Sequence, residues 1–157
     1  MPTSGTPKRK PSRAPELALT VQYGTRSAQP PSRARLLKWV RAALRESASV
    51  VLRIVDAREA RRLNRGYRRR DYATNVLTFV YSDRRPFEGD IAICAPVVAR
   101  EARRRGISAE AHYAHLVVHG MLHLQGYDHQ RASEARQMER LECRILAKLG
   151  FGNPYGR

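Results

Sequence analysis

The stretch HGMLHLQGYDH, residues 119–129, carries three of the five histidines in the chain, spaced H-x-x-x-H-x-x-G-x-x-H. His119 and His123 are four residues apart, so on a helix they lie on one face, one turn apart. Gly126 can adopt the left-handed conformation that ends a helix, which lets the chain turn and bring His129 back to the same point. Three imidazoles suit zinc and leave a fourth tetrahedral position for water, as in catalytic sites. The alternative is that these histidines are spread over a core-facing helix and bind no metal.

The composition indicates one globular domain with a polyanionic partner. The 157 residues are 42% hydrophobic, which is enough for a real core. Thirty Lys and Arg against fourteen Asp and Glu give a net charge of +16, for which nucleic acid is the first candidate partner, although an arginine-rich proteome would explain part of the excess. No apolar run is long enough for a membrane span and the amino terminus has no apolar signal core, so we expect a cytoplasmic protein without a membrane partner. The two cysteines show no C-x-x-C spacing and are expected to be buried, reduced thiols.

The amino terminus differs in composition from the rest of the chain. Residues 1–15 are rich in proline and basic residues and contain no acid. This predicts a disordered basic arm, which could contact RNA phosphates or be an unselected extension. Residues 16–157 are then predicted to form a single domain.

Hydrophobic periodicity divides that domain into strands and helices. The predicted strands are Leu17–Tyr23, Val50–Val55, Thr74–Tyr81 and Gly89–Cys94. The predicted helices cover residues 33–46, 57–65, 96–105, 109–124 and 132–149, with Ser32 and Ser108 as N-caps and Gly106 and Gly150 as stops. Val50–Val55 is apolar except for Arg53 and is expected to be an interior strand covered on both faces. Gly89–Cys94 is expected to pair antiparallel with Thr74–Tyr81.

The most basic part of the chain lies between Arg58 and Asp71. It contains seven arginines and Tyr67 against two acids. The planar fork of arginine grips phosphate and an aromatic ring can stack on a base, which is typical of single-stranded RNA binding. A solvated helix face would explain the run equally well. The candidate RNA-binding residues are Arg65, Tyr67, Arg69 and Arg70.

The histidine motif matches the zinc-peptidase pattern H-E-x-x-H-x-x-G-x-x-H except at Gly120, where the peptidases have the glutamate that activates water. No Met-turn follows, because Met138 falls within a helical pattern. Both points disfavour peptide hydrolysis. Phosphodiester cleavage depends less on a fixed base, because zinc lowers the pKa of its bound water to about 7 and can polarise a phosphoryl oxygen. It also needs positive charge at the phosphate, which an arginine can supply.

Three segments, HLVVHGMLHLQGYDH, LNRGYRRRDYATNVLTF and GDIAIC, resemble the YbeY family of bacterial endoribonucleases, and the resemblance extends over about residues 17–155. It implies an α+β fold with a mixed four-stranded sheet, about five helices and one zinc ion at the end of a core helix. It also implies a hydrolase that cleaves single-stranded RNA in 16S rRNA 3′-end maturation and ribosome quality control, with rRNA and the small ribosomal subunit as partners. The sequence departs from the family at Ala73, Thr78 and Val80, where Pro, Ser and Pro are usual, and these positions concern strand entry and loop shape.

Residue by residue, the resemblance matches His119, His123 and His129 to the zinc ligands of the family. It matches Arg68 to a functionally required arginine, which would clamp the phosphate during reaction. Arg68 could instead be a plain phosphate contact or form a salt bridge within the fold.

Three further residues near the motif have predicted roles. His115 is expected to contact a ligand imidazole or the core, because a fourth protein ligand would close the open site. Asp128 could hydrogen-bond a ligand imidazole or cap the turn. His112 is expected at the surface.

Two other functions remain open from the sequence. A metzincin-like metallopeptidase would need a base that the motif does not show. A non-catalytic, zinc-stabilised, ribosome-associated RNA-binding protein would need only the metal site and the basic surface.

Overall fold

A computed structural model describes residues 14–26, 29–68, 70, 72–128 and 130–156 of the chain, with Arg68 described by its backbone alone. Most of the predicted basic arm, residues 1–13, therefore lies outside the described residues. The described elements are β1 (Leu17–Gly24), α1 (Arg33–Ala43), β2 (Ala48–Val55), α2 (Ala57–Arg68), β3 (Val76–Ser82), β4 (Phe87–Cys94), α3 (Ala95–Arg105), α4 (Ala109–Leu124) and α5 (Ala132–Lys148).

The four strands form one mixed sheet in the order β1-β2-β4-β3. β1, β2 and β4 are parallel to one another, and β3 pairs antiparallel with β4 at the edge. The interior position of β2, between β1 and β4, is confirmed. The expectation that both of its faces are covered is wrong, because Ser49 is exposed and Val51 and Arg53 are only partly buried on one face. The predicted α+β fold with a mixed four-stranded sheet and about five helices is confirmed.

Helix α4 lies at the centre of the molecule. It contacts α1, α3 and α5 as well as β3 and β4. Most of its side chains are buried, including Leu116, Val117, Met121 and Leu122. Its bounds match the prediction, and the Ser108 hydroxyl caps it by accepting a hydrogen bond from the amide of Ala111 at 3.0 Å. A helix that is buried nearly all round gives its carboxyl end a fixed position relative to the sheet.

Helix α1 ends at Ala43, three residues before the predicted end at Glu46. The reason is a contact with the end of α4. The Gln125 side chain accepts hydrogen bonds from the amides of Arg45 and Glu46 at 2.7 and 3.0 Å, and its amide group donates to the carbonyl of Ala43 at 2.9 Å. The groups that end α1 therefore come from a residue 80 positions away along the chain.

Helix α2 instead runs three residues past its predicted end, through Gly66 to Arg68. Both cysteines are free thiols, and Cys94 is buried, as expected. The expectation that Cys143 is also buried is wrong, because it is partly exposed. None of the helices in the described part of the chain is both long and apolar enough to cross a lipid bilayer.

The end of α4 approaches the sheet closely at Gly89 of β4. A Cβ atom at this position would lie 2.4 Å from the carbonyl oxygen of Phe79 and 2.6 Å from Cδ1 of Leu124. Only glycine fits at this position, because any side chain would clash with Phe79 or Leu124 and push α4 away from the β3–β4 pair.

We expect Gly89→Ala to destabilise the protein by about 1–3 kcal/mol, the usual cost of overpacking a core. Gly66→Ala is the matched control, because nothing lies within 4 Å of a Cβ there and the residue is helical, so alanine should stabilise by about 0.5–1 kcal/mol. The free energy of unfolding in urea measures both. Equal stability of Gly89→Ala and wild type would show that α4 is not held this tightly against the sheet.

Candidate metal centre

A cavity of about 770 Å³ opens between the carboxyl-terminal half of α4 and the edge strand β3. Its wall contains His119 and His123 from α4, Asp128 and Gln130 from the following segment, Tyr67 from α2, and residues 74–81. The cavity therefore brings the centre of the histidine motif together with the end of the basic α2 segment.

The turn after α4 has the conformation expected from its glycine. Gly126 has a φ of 97°, and the amides of Gly126 and Tyr127 donate to the carbonyls of His123 and Leu122, both at 3.0 Å. This left-handed ending directs Asp128 into the cavity wall. His129, the third predicted ligand, lies outside the described residues.

A buried glutamate contacts His119 and His115 of α4. Glu142 of α5 has no exposed surface. One carboxylate oxygen, Oε1, lies 2.9 Å from Nδ1 of His119, and the other, Oε2, lies 2.8 Å from Nε2 of His115. The Tyr155 hydroxyl donates a third hydrogen bond to Oε2 at 2.8 Å.

The charge states of this cluster follow from its contacts. Burial raises the pKa of the Glu142 carboxyl, but the hydrogen bonds from His115, His119 and Tyr155 outweigh burial and hold the pKa at about 2. Burial and the bond to Glu142 raise the pKa of Tyr155, so its hydroxyl keeps its proton. An ionised carboxylate can only accept hydrogen bonds, so the facing nitrogens, Nδ1 of His119 and Nε2 of His115, each carry a proton.

Glu142 was not among the residues predicted from the sequence, although its position on α5 carries a signal. The residue follows Met138 by four positions and precedes Ile145 by three, so it falls on the apolar face of α5, where a carboxylate needs a partner. His115 had been expected to contact a ligand imidazole or the core, and its partner is Glu142, which it shares with His119.

The described residues contain side chains able to hold a metal ion. His115, His119 and Glu142 each offer one ligand atom within 4.8 Å of the other two. His119 and His123 offer imidazole nitrogens in the cavity wall, with Asp128 nearby. The two arrangements share His119, and imidazole and carboxylate ligands both suit zinc.

Gly120 explains why the peptidase glutamate has no counterpart here. A Cβ atom at Gly120 would lie 3.1 Å from Cγ2 of Ile91 and 3.4 Å from the hydroxyl of Thr78. The position faces the sheet within the core, so a glutamate there would bury an unpaired charge. This packing agrees with the expectation that peptide hydrolysis is disfavoured.

Of the predicted RNA-binding residues, Tyr67 lines the cavity, and Arg65 and Arg70 are exposed. Tyr67 is 65% exposed and packs on Phe79 with ring centroids 4.4 Å apart. Arg70 donates a hydrogen bond to the Tyr72 hydroxyl at 3.2 Å. Arg69 and the side chain of Arg68 lie outside the described part of the structure.

The expectation that His112 lies at the surface is wrong. His112 is 3% exposed, and its Nε2 lies 2.9 Å from the Glu101 carboxylate of α3. The pKa of His112 is lowered by burial, which outweighs the opposing effect of Glu101. The residue lies where α3 and α4 pack together. The sequence alone did not show that α3 covers the face of α4 that carries His112.

Comparison with known proteins assigns the chain to a family. A family model described as "Endoribonuclease YbeY" matches residues 26–150. A protein of that name from Nitrosospira multiformis is 52% identical over 169 residues, which cover 96% of this chain and 89% of the relative. Its counterpart in Aromatoleum aromaticum is 55% identical over 142 residues, covering 88% of this chain and 92% of the relative.

A solved structure shares the fold. The solution structure of a protein from Thermotoga maritima has a TM-score of 0.54 at 23% identity, covering 88% of this chain and 99% of the other. Because the family model spans most of the chain and relatives about 50% identical align along nearly their whole length, this chain belongs to the endoribonuclease YbeY family.

Proposed function

We propose that this protein is a zinc-dependent endoribonuclease, a hydrolase specific for single-stranded RNA, that acts in 16S rRNA 3′-end maturation and ribosome quality control. The observation that carries the proposal is the shared cavity, in which two histidines of the motif and the exposed ring of Tyr67 line one open space. Membership of a family whose members are named endoribonucleases supports it, and the net charge of +16 favours a polyanionic substrate.

In this proposal one zinc ion is held by His119, His123 and His129. His119 and His123 contribute their imidazoles from the cavity wall, and His129 follows the left-handed Gly126 by three residues in the sequence. Bound zinc would supply a water of lowered pKa and polarise a phosphoryl oxygen. Asp128 lines the same cavity and is proposed either to hydrogen-bond a ligand imidazole or to stabilise the turn.

Arginines from the end of α2 are proposed to hold the phosphate. Arg68 directly follows the cavity-lining Tyr67 at the end of α2, which supports this role. Its guanidinium would clamp the scissile phosphate and offset the charge that grows during reaction. Arg65, Arg69 and Arg70 would contact neighbouring phosphates and hold the strand in register.

Exposed aromatic rings beside the cavity are proposed to select single-stranded RNA. Tyr67 is 65% exposed and Tyr81 is 61% exposed. The ring of Phe79 packs against the ring of Tyr67. The Tyr81 hydroxyl donates to Asp90 at 2.9 Å, which fixes its ring at the cavity wall. Such rings stack on unpaired bases, whereas bases in a duplex are already stacked on each other.

The proposal extends to partners and location. Residues 16–157 would form the single catalytic domain, with rRNA of the small ribosomal subunit as substrate in the cytoplasm. Residues 1–15 would act as a basic arm. The charge of the chain supports an RNA partner, and the family resemblance supports rRNA as the substrate.

The first test is cleavage of a labelled RNA spanning the small-subunit rRNA 3′ end, with zinc quantified in each protein. We expect His123→Ala to lose both zinc and cleavage. Arg68→Ala should keep zinc but cleave about 100-fold more slowly or worse, the usual loss when a charge-stabilising group is removed. Arg104→Ala, an exposed arginine at the end of α3, is the matched charge control and should cleave like wild type.

Three outcomes would count against this function. Equal cleavage by all variants would identify the activity as a contaminant. Wild type that holds zinc and binds the RNA without cleaving it would favour the non-catalytic RNA-binding protein. Cleavage lost equally in Arg104→Ala would show that general charge, and not the cavity arginine, carries the effect.

The second test concerns Tyr67. We expect Tyr67→Ala to weaken binding of a single-stranded oligonucleotide by about 5- to 150-fold, since stacking contributes about 1–3 kcal/mol per base. Tyr67→Phe keeps the ring and should bind like wild type. Fluorescence anisotropy measures the affinity, and thermal unfolding checks that the contact with Phe79 is not needed for folding. Unchanged affinity of Tyr67→Ala would contradict stacking at this site.

A further inference from the structure

The carboxylate of Glu142 connects three separate parts of the chain. It is fully buried on α5, it accepts hydrogen bonds from His115 and His119 of α4, and it accepts another from Tyr155 in the carboxyl-terminal segment. Buried ion pairs contribute little to stability on balance, because desolvation offsets their attraction. Anchoring α5 to α4 is therefore a weak explanation for a charged residue on an otherwise apolar helix face.

The direction of the bonds suggests a better explanation. Glu142 bonds the Nδ1 side of His119, a residue whose side chain is 28% exposed and lines the cavity. Histidines that bind a metal through one ring nitrogen usually donate the other N–H to a carboxylate, which fixes the tautomer and makes the ligand more basic. With Nδ1 bonded to Glu142, the metal-binding nitrogen of His119 would be Nε2.

Tyr155 is held so that it can support Glu142. Its amide donates to the Asn153 side chain at 2.8 Å, and the carbonyl of the neighbouring Pro154 accepts a hydrogen bond from Arg105 of α3. Its ring meets that of His115 edge-on, with centroids 5.4 Å apart. The segment after α5 is thus held against the buried carboxylate by contacts with α3 and α4.

His115, His119 and Glu142 fit a hydrogen-bonded cluster better than a catalytic metal cage. The nitrogen–oxygen distances of 2.8 and 2.9 Å are those of hydrogen bonds with a proton between the atoms. Glu142 is fully buried and has a third donor, Tyr155. A metal held between these groups would displace two protons and would lie behind the histidine and not in the cavity.

We infer that Glu142 is a positioning residue that orients His119 toward a metal in the cavity, and that His115 and Tyr155 hold Glu142 in place without binding the metal themselves. The inference rests on the proposed zinc site at His119 and His123. It makes α5 and the carboxyl-terminal segment part of the metal centre, although neither contributes a ligand.

The test measures zinc affinity of the full-length protein by competition with a chromophoric chelator, together with the visible spectrum of the Co²⁺-loaded protein and the thermal stability of the metal-free protein. The variants are Glu142→Gln, Tyr155→Phe, His115→Ala and His123→Ala. Glu139→Gln is the matched control, because Glu139 is exposed on the same helix. Glutamine keeps the volume of Glu142 but has no charge and one acceptor oxygen in place of two.

We expect Glu142→Gln to weaken zinc binding by about 10- to 100-fold, the usual effect of removing the carboxylate partner of a metal-bound histidine. Tyr155→Phe, which removes one of the three bonds to Glu142, should weaken it less than Glu142→Gln does. His115→Ala should retain zinc and the tetrahedral Co²⁺ spectrum, His123→Ala should lose both, and Glu139→Gln should match wild type.

Different failures are distinguishable. If Glu142→Gln binds zinc as tightly as wild type, the role proposed for Glu142 is wrong but the proposed zinc site is not. This holds even if the metal-free variant is less stable, because Glu142 would then have only a structural role. Loss of zinc in His115→Ala with zinc retained in His123→Ala also overturns the inference, because the metal would lie in the buried cluster. Failure of wild type to bind zinc overturns the proposed metal site, and this inference with it.

Discussion

The structure depends on the burial of one helix that must also carry the site. α4 packs against α1, α3, α5 and the sheet, and its carboxyl end is pressed onto β4 where Gly89 leaves no room for a side chain. That contact sets the distance between the histidine face of α4 and the edge strand β3, and so creates the cavity. A helix fixed by close packing holds its side chains more precisely than a loop would, which suits it to carry ligands.

Because α4 is buried, its histidines need polar partners, and Glu142 provides one. Histidines that emerge from an apolar helix have few polar neighbours to fix their rings, and a buried imidazole nitrogen needs a partner. Glu142 accepts from both His115 and His119, and Tyr155 and its neighbours close the cluster from behind. The hydrophobic face of α5 therefore carries one charged residue whose partners all belong to other elements.

The sequence predicted the features that local chemistry decides. The Ser108 cap and the left-handed Gly126 fixed the two ends of α4, and the four-residue spacing put His119 and His123 on one face. Contacts between distant residues were not predictable in this way. Gln125 ends α1 from 80 positions away, His112 is buried against Glu101, and Glu142 reaches back across 23 residues to His119. Local periodicity gives the face of a helix but not the identity of what covers it.

The most direct test of the account is to locate the metal by anomalous diffraction at the zinc edge in crystals of the zinc-loaded protein. One ion is expected in the cavity, about 2.0–2.1 Å from a nitrogen of each of His119, His123 and His129. Glu142 is expected to stay hydrogen-bonded to His119 and outside the coordination sphere. An ion seated between His115, His119 and Glu142, or a direct bond from Glu142 to the metal, would contradict this expectation.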